Sequence, residues 1–212
     1  MTPGSNKIIV TPALSIDSGG RLDLADNKLI VTGGSIGSWN GSAYTGVSGL
    51  IQSGRNGGGW LGSGIVTSQT QATSGSVTSI GVASAQQVKG LSASTDTAVW
   101  AGQTVSGADT LAMYTYGGDA NLDGKINVDD YGRIDLNIHL ETKGWYNGDF
   151  NYDGKINVDD YGIIDFNVGI QGAPFPTAAS LGGASAVPEP AVGALVFSLA
   201  SSIPGLRRGR RQ

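Results

Sequence analysis

An acidic phrase that occurs twice is the strongest constraint on this chain: GDANLDGKINVDDYG at residues 118–132 and GDFNYDGKINVDDYG at 148–162. In each copy Asp, Asn and Asp occupy every second position ahead of a Gly, and a further Asn and Asp follow that Gly. Side chains at alternate positions of a tightly curled loop converge on one point, where a hard divalent cation finds the roughly six to eight oxygen ligands it needs. The spacing therefore predicts a twelve-residue calcium loop in each copy.

The predicted ligands are side-chain oxygens at loop positions 1, 3, 5, 9 and 12, and a backbone carbonyl at position 7, where a Lys side chain does no harm. In the first copy they are Asp119, Asn121, Asp123, Lys125, Asn127 and Asp130, and in the second Asp149, Asn151, Asp153, Lys155, Asn157 and Asp160. A Gly at position 6 permits the positive φ of the sharp turn. The alternative is a pair of polar turns that bind nothing. Repetition of the whole set, with carboxylates that repel one another unless a cation is present, favours two calcium ions.

Each loop is followed by a segment with helical periodicity. Apolar residues recur at i, i+3 and i+7, as Tyr131, Ile134 and Ile138 in the first copy and as Tyr161, Ile164 and Val168 in the second. The segments ahead of the loops, LAMYTYGG and GWYNG, lack that pattern. We therefore expect two loop-helix units that pack their apolar faces together. A Gly inside each helix weakens it by about 1 kcal/mol relative to Ala, so the helices should depend on metal and on mutual packing.

Residues 117–172, which hold these paired units, resemble a type I dockerin domain, a pair of EF-hand-like (F-hand) calcium units. The resemblance implies a compact two-calcium module that plugs into a cohesin module on another protein. Such contacts assemble carbohydrate-degrading complexes or attach proteins to surfaces. The calcium ligands carry over at the positions given above. At loop positions 10 and 11 this chain has Val-Asp in both copies, where members of the family often have Ser-Thr.

Residues 1–116 predict a β-rich module that is rich in Gly, Ser and Thr. KIIVTPALSID, RLDLADNKLIVTG, VTSIGVASAQQV and DTLAMYTY favour strands, with a hairpin turn at Asp26-Asn27, and VSGLIQSG favours one short helix. Trp39, Trp60 and Trp100 are expected in core or loop packing rather than in sugar stacking.

Catalytic groups are scarce in this sequence. The chain has no Cys, and residues 1–116 contain no Glu and no His. The single His139 follows a helical segment and is expected to be exposed near the helix end. Most Asp residues lie between Asp119 and Asp165, and no basic face suits nucleic acid. We therefore expect a protein without catalysis of its own. The alternative is a dockerin-bearing carbohydrate-active protein, a glycoside hydrolase or a carbohydrate-binding module, whose partner is a polysaccharide.

The C-terminal tail, residues 187–212, reads VPEPAVGALVFSLASSIPGLRRGRRQ. A Pro-Glu-Pro motif, an uncharged apolar run and an Arg cluster follow one another in that order, and this order resembles a PEP-CTERM sorting signal. The resemblance implies transient insertion into the inner membrane as a short helix, cleavage by an exosortase-type enzyme, and an extracellular or cell-surface location. The Ala/Gly/Ser-rich residues 173–186 predict a flexible linker.

Export poses a problem, because the first 20 residues lack a basic region followed by an apolar one. We expect the chain to be the C-terminal part of a longer protein, or its start to be misassigned. The predicted fold is thus multi-part α+β: a β-rich module at 1–116, a two-unit loop-helix domain at 117–172, a linker, and a C-terminal apolar helix.

Overall fold

Strands and helices both contribute to the structure, a computed structural model that describes residues 1–4 and 7–177 and is of the predicted α+β class. The strands are β1 (Ile8–Thr11), β2 (Arg21–Asp23), β3 (Lys28–Val31), β4 (Gly64–Val66), β5 (Thr78–Ser84), β6 (Thr97–Trp100), β7 (Gln103–Ser106) and β8 (Thr110–Tyr116). The five α-helices of the described residues are α1 (Gly46–Arg55), α2 (Thr70–Thr73), α3 (Ala85–Lys89), α4 (Val128–Asn137) and α5 (Val158–Val168).

The main sheet has the order β1-β3-β8-β5. Strand β3 pairs with β1 in parallel and with β8 in antiparallel register, and β5 runs antiparallel to β8. Every residue of β8 is buried, as expected for an apolar strand at the centre of a covered sheet. Two smaller sheets pair β2 with β4 in parallel and β6 with β7 in antiparallel register.

The hairpin predicted at Asp26-Asn27 is wrong. The chain does turn there, but β2 and β3 enter different sheets, because β2 pairs with β4 and β3 pairs with β1 and β8. Asn27 is fully buried, and its Nδ2 donates to the backbone carbonyls of Thr2 and Leu24 at 3.1 and 2.9 Å. The turn therefore redirects the chain from one sheet to another.

One predicted helix is present, and one predicted strand ends earlier than expected. The short helix expected within VSGLIQSG is confirmed as part of α1. The segment VTSIGVASAQQV forms a strand only as far as Ser84 and then turns into α3, so the strand prediction is wrong for its last residues. The reason is a capping box, in which the Ser84 hydroxyl accepts from the Gln87 backbone and the Gln87 side chain accepts from the Ser84 backbone.

The helices predicted after the two acidic phrases are confirmed as α4 and α5, and Ile134 and Ile164 are fully buried. The segments ahead of the loops are β8 and a short 3-10 turn at Trp145–Asn147. This part of the chain packs directly on the main sheet. A Cβ atom at Gly81 in β5 would lie 2.6 Å from both Leu122 Cδ2 and Trp145 Nε1, and the Tyr152 hydroxyl donates to the carbonyl of Ile80 at 2.7 Å.

Trp60 and Trp100 are buried, in agreement with the packing role expected of them. Trp39 is half-buried and lies over Gly154 of the second loop, where a Cβ atom would come within 2.4 Å of its ring. His139 is exposed just past the end of α4.

The first residues of the predicted linker 173–186 contact the rest of the chain. The Phe175 ring lies 5.1 Å from that of Tyr114 and 4.7 Å from that of Tyr116, between centroids, and the Phe175 backbone N–H donates to the Gly124 carbonyl at 2.8 Å. The remainder of that linker and the predicted apolar helix of residues 187–212 lie outside the described residues. None of the helices within residues 7–177 combines the length and apolarity needed to cross a bilayer.

Candidate metal centres

Both acidic phrases fold into loops of the same backbone conformation. Gly124 and Gly154, at position 6, have φ of 91° and 80°, a region that favours glycine. Leu122 and Tyr152, at position 4, also have positive φ, and both side chains are buried in the core. Burial of these two anchors holds their backbone in a conformation that bulky residues rarely adopt.

The carboxylate at position 1 of each loop folds the loop around itself. Asp119 Oδ1 accepts from the Asp123 backbone N–H at 3.1 Å, and its Oδ2 accepts from the Gly124 N–H at 2.9 Å. Asp149 accepts from Asp153 and Gly154 at the same two distances. These backbone donors orient each carboxylate within its loop.

The carboxylate at position 12 joins the two ends of each loop. Asp130 Oδ1 accepts from the Ala120 N–H at 2.9 Å, and its Oδ2 accepts from the Asn127 N–H at 2.8 Å. In the second loop, Asp160 accepts from the N–H groups of Phe150 at 2.8 Å and Asn157 at 3.0 Å. Because position 12 lies in the first turn of the following helix, the helix start and the loop start are held together.

The side chains at positions 3, 5 and 9 also repeat their contacts. In the first loop, Asn121 Oδ1 accepts from the Asp123 N–H at 2.9 Å, and Asp123 Oδ1 accepts from the Lys125 N–H at 3.2 Å. In the second loop, the matching distances at Asn151 and Asp153 are 2.8 and 2.9 Å. Asn127 and Asn157 cap α4 and α5, each accepting from the backbone N–H two residues on at 2.7 Å. The side chains of Lys125 and Lys155 are exposed to solvent. At position 7 the group available to a bound ion is therefore the backbone carbonyl.

Burial makes the carboxylates at positions 1 and 12 costly to ionise. Asp119, Asp130, Asp149 and Asp160 are all 0% exposed. Burial raises the pKa of Asp130 to about 6 and that of Asp160 to about 7, against partial relief from backbone hydrogen bonds. It also raises the pKa of Asp119 and Asp149, which the Thr115 and Tyr44 hydroxyls offset in part.

No Lys or Arg side chain among the described residues forms a close ion pair with any of these four carboxylates. Four buried acids without a close ion pair, surrounded by amide and carboxylate oxygens, fit the needs of a hard divalent cation. In contrast, no group of three or more His, Cys, Asp or Glu side chains in residues 1–4 and 7–177 lies close enough together to hold a metal ion.

The β-rich region supplies a hydroxyl group to position 1 of each loop. The Thr115 hydroxyl of β8 donates to Asp119, and the Tyr44 hydroxyl, just ahead of α1, donates to Asp149. Sequence reasoning missed both groups. Tyr44 lies far from the second loop along the chain, and no local pattern marks its role; Thr115 lies four residues before Asp119, but within what is otherwise an ordinary strand pattern.

The two units interlock through reciprocal contacts. Ile164 of α5 lies against Gly118 ahead of the first loop, and Ile134 of α4 lies against Gly148 ahead of the second. The Tyr131 hydroxyl donates to Asp165 at 2.6 Å, and the Tyr161 hydroxyl donates to Asp135 at 2.5 Å. The sequence predicted that the two units pack together, and the structure adds this exchange of hydrogen bonds.

Comparisons with models of protein families, with curated proteins and with solved structures find no match for this chain.

Proposed function

We propose that this chain is a non-catalytic calcium-binding protein of the cell surface or the extracellular space, which takes one calcium ion in each acidic loop. The observation that carries the proposal is the agreement between the two loops. The same oxygen donors stand at the same positions, the hydrogen-bond distances repeat, and each loop buries two carboxylates that form no close ion pair with a Lys or Arg of the described residues.

The donor set favours a hard cation such as calcium over zinc or copper. The proposed ligands at Asp119, Asn121, Asp123, Lys125, Asn127 and Asp130, and at their six counterparts in the second loop, are carboxylate, amide and backbone carbonyl oxygens. Oxygen ligands in a loop that can supply about six to eight of them suit calcium, whereas zinc and copper prefer His and Cys. Extracellular calcium loops operate with dissociation constants of about 0.1–1 mM, so weak sites would still be filled outside the cell.

Calcium binding at both loops should be measured by titration calorimetry on the full-length chain after treatment with a chelator. We expect two ions per chain. Asp123→Ala and Asp153→Ala should each reduce the stoichiometry to one at moderate calcium concentrations. A stoichiometry near zero in millimolar calcium would refute the proposal.

Calcium should also stabilise the fold around the loops. Helices α4 and α5 have 10 and 11 residues and each contains a Gly, and isolated helices of that length are marginal in water. A ligand that binds only the folded state stabilises it by mass action. Chelation should therefore lower the helical circular dichroism signal or the melting temperature.

We further propose that the loop-helix pair docks onto a cohesin-like or other surface protein. The outer faces of α4 and α5 and their ends carry exposed apolar residues at equivalent positions of the two units: Val128, Leu136 and Leu140 in the first and Val158, Phe166 and Ile170 in the second. Apolar side chains on the surface of a soluble module, repeated by its internal symmetry, are typical of an interaction face.

This docking can be tested by measuring the binding of the chain to a panel of purified cohesin modules, once with calcium and once with a chelator. Leu136→Asp combined with Phe166→Asp should abolish any calcium-dependent binding. Val10→Asp is the matched control, because Val10 is 50% exposed on β1, the edge strand of the main sheet, whose partner is β3. If the double variant binds as well as the unaltered chain, the docking face lies elsewhere.

We also propose that the C-terminal tail sorts the protein to the cell surface or the extracellular space. The support is the order of Pro-Glu-Pro, apolar run and Arg cluster in residues 187–212. An exosortase-type enzyme would remove this tail after transient insertion in the inner membrane. The chain, supplied with an export signal, should be expressed in a host with sorting machinery. The intact mass of the surface or released form should lack the residues after the cleavage point. A mature protein that keeps its terminal arginines would contradict the sorting role.

A further inference from the structure

The carboxylate at position 1 of each loop accepts a hydrogen bond from a hydroxyl group outside the loop, and in both loops the accepting atom is Oδ2. Thr115 donates to Oδ2 of Asp119, and Tyr44 donates to Oδ2 of Asp149. The two donors differ in side chain and in their place along the chain, since Thr115 lies on β8 and Tyr44 lies just ahead of α1. Two unrelated residues of the β-rich region therefore serve the same atom of the repeated loop.

The hydroxyl group occupies Oδ2 and leaves Oδ1 able to accept more. In the first loop, Oδ2 of Asp119 accepts from Thr115 and from the Gly124 N–H. Its Oδ1 accepts one bond among the described residues, from the Asp123 N–H. The same division holds at Asp149. Because each oxygen of an ionised carboxylate has about two lone pairs, Oδ1 keeps one for a bound cation.

Tyr44 is fixed against the second loop by contacts of its hydroxyl and of its backbone. The hydroxyl oxygen accepts from the Gly144 N–H at 2.8 Å, so the hydroxyl proton is left for Asp149. The Tyr44 backbone N–H donates to Gln52 Oε1 at 2.9 Å, and Gln52 Nε2 donates to the Tyr152 carbonyl at 2.7 Å. The Gln52 amide thus joins the backbone of Tyr44 to position 4 of the loop.

Both hydroxyl groups can be removed without removing the packing of the side chain that bears them. The Tyr44 ring meets the rings of Trp39 and Tyr152 edge to face, with centroid distances of 5.1 and 6.1 Å. Phe at position 44 keeps these ring contacts. Thr115 is fully buried in β8, and Val at that position keeps the branched shape.

We propose that Tyr44 and Thr115 are positioning residues for the two calcium ions, so that the β-rich region forms part of both metal sites. The inference rests on the proposed calcium function. Neither hydroxyl group is among the proposed ligands, and each acts through the carboxylate at position 1. Loss of a hydrogen-bond partner that orients a metal ligand lowers metal affinity by about 10- to 100-fold.

The two sites can be separated in the full-length chain by single-site variants. Asp153→Ala leaves the first loop to bind calcium, and Asp123→Ala leaves the second. Tyr44→Phe should weaken calcium binding by about tenfold or more in the Asp123→Ala chain and leave it unchanged in the Asp153→Ala chain. Thr115→Val should give the reverse pattern. Calorimetry with calcium measures all four combinations, and each hydroxyl variant is the matched control for the other.

This crossed pattern separates positioning from a structural role, because a variant that merely loosens the fold would weaken both loops together. Thr115→Ser keeps a hydroxyl group and should keep the affinity of the first loop close to that of the unaltered chain. A second readout needs no calcium. Hydrogen exchange at the Gly144 amide should be faster in metal-free Tyr44→Phe, which lacks its acceptor, and unchanged in metal-free Thr115→Val.

Calcium in the second loop should also protect α1, and this measurement leaves Tyr44 unaltered. Gln52 and Arg55 of α1 donate to loop carbonyls, those of Tyr152 and Asn151, at 2.7 and 2.9 Å. By thermodynamic linkage, an element that supports a binding site is itself stabilised when the site is filled. Calcium should therefore slow amide exchange in α1 more in the chain that keeps only the second loop than in the chain that keeps only the first.

Equal weakening of both loops by either hydroxyl variant, or an unchanged affinity at the loop that lost its hydroxyl group, would overturn the inference and leave the calcium function intact. Absence of calcium binding in the unaltered chain would overturn the proposed function as well. If Tyr44→Phe does not fold, exchange in α1 decides. Equal protection of α1 by calcium in either loop would then overturn the role of Tyr44.

Discussion

Ile134 lies directly against Gly148, so that a Cβ atom placed on this glycine would come within 2.9 Å of the Ile134 side chain. The contact joins the helix of the first unit to the start of the second loop, and Ile164 repeats it at Gly118. Gly132 and Gly162 differ, because a Cβ atom at either position would meet nothing within 4 Å. Four glycines of the repeat thus have two different physical roles.

Ala substitutions at Gly148 and Gly162 should change the stability of the fold in opposite directions. Gly148→Ala should destabilise the fold by about 2 kcal/mol or more, since it adds a crowded methyl group at a φ of 114°. Gly162→Ala should stabilise it by about 0.5–1 kcal/mol, because Ala is the better helix former and the site on α5 is open. Thermal or urea denaturation in calcium measures both. A gain in stability from Gly148→Ala would show that the two units do not interlock as described.

The loop register can be tested by comparing neighbouring carboxylates. Asp123→Ala should weaken calcium binding at the first loop by about tenfold or more, because Asp123 stands at position 5. Asp129→Ala should have little effect on binding, since Asp129 is exposed at position 11 in the first turn of α4. Its loss should cost at most about 1 kcal/mol of helix stability. Equal effects on calcium affinity, measured by calorimetry, would show that the assigned register is wrong.

The pH dependence of the metal-free chain should reflect Asp130 and Asp160. Burial raises their pKa values to about 6 and about 7, above the value near 3.9 of an unfolded Asp. Between about pH 4 and pH 7 the folded chain therefore holds more protons than the unfolded chain, and its stability falls as the pH rises through this window.

Calcium should reverse this trend, because it binds the ionised carboxylates and displaces their protons. Melting temperatures should be recorded from about pH 5 to pH 8 with a chelator and with calcium. We expect calcium to stabilise the chain strongly at about pH 8 and weakly at about pH 5. A metal-free chain that becomes steadily more stable up to pH 8 would contradict the burial of unpaired carboxylates in these loops.

The reciprocal tyrosines give a test of the internal symmetry. Burial, and to a smaller extent the hydrogen bond to Asp165, raises the pKa of Tyr131 to about 12. The pKa of Tyr161 is raised to about 12 by the same two causes, with Asp135 as the hydrogen-bond partner. Tyr131→Phe and Tyr161→Phe each remove one donor, and each should cost about 1 kcal/mol of stability in denaturant unfolding. A loss confined to one of the two variants would mean that only one of these bonds stabilises the fold.

The loop-helix units could be predicted because their signals are local. Ligand spacing, the glycine at position 6 and the period of Ile134 and Ile164 all lie within one unit. The capping box at Ser84 and Gln87 was equally local and would have identified α3. Strand pairing was not predictable in this way, since β3 finds partners both in β1 and in the distant β8. For the same reason the contacts of Tyr44 and Arg55 with the second loop could not be anticipated: both join segments that are about a hundred residues apart.

Trp145 ties the paired units to the main sheet. Its indole N–H donates to the Asp119 carbonyl at 2.7 Å, while its ring occupies the space that a side chain on Gly81 would need. A gene segment that encodes only the paired units, moved into another protein, would leave behind β5, which accommodates this ring. It would also leave behind Tyr44 and Thr115, which donate hydrogen bonds to the two loops. Exchange of the units as a free cassette would therefore be selected against, and glycine at position 81 should persist among descendants for as long as a large ring persists at position 145.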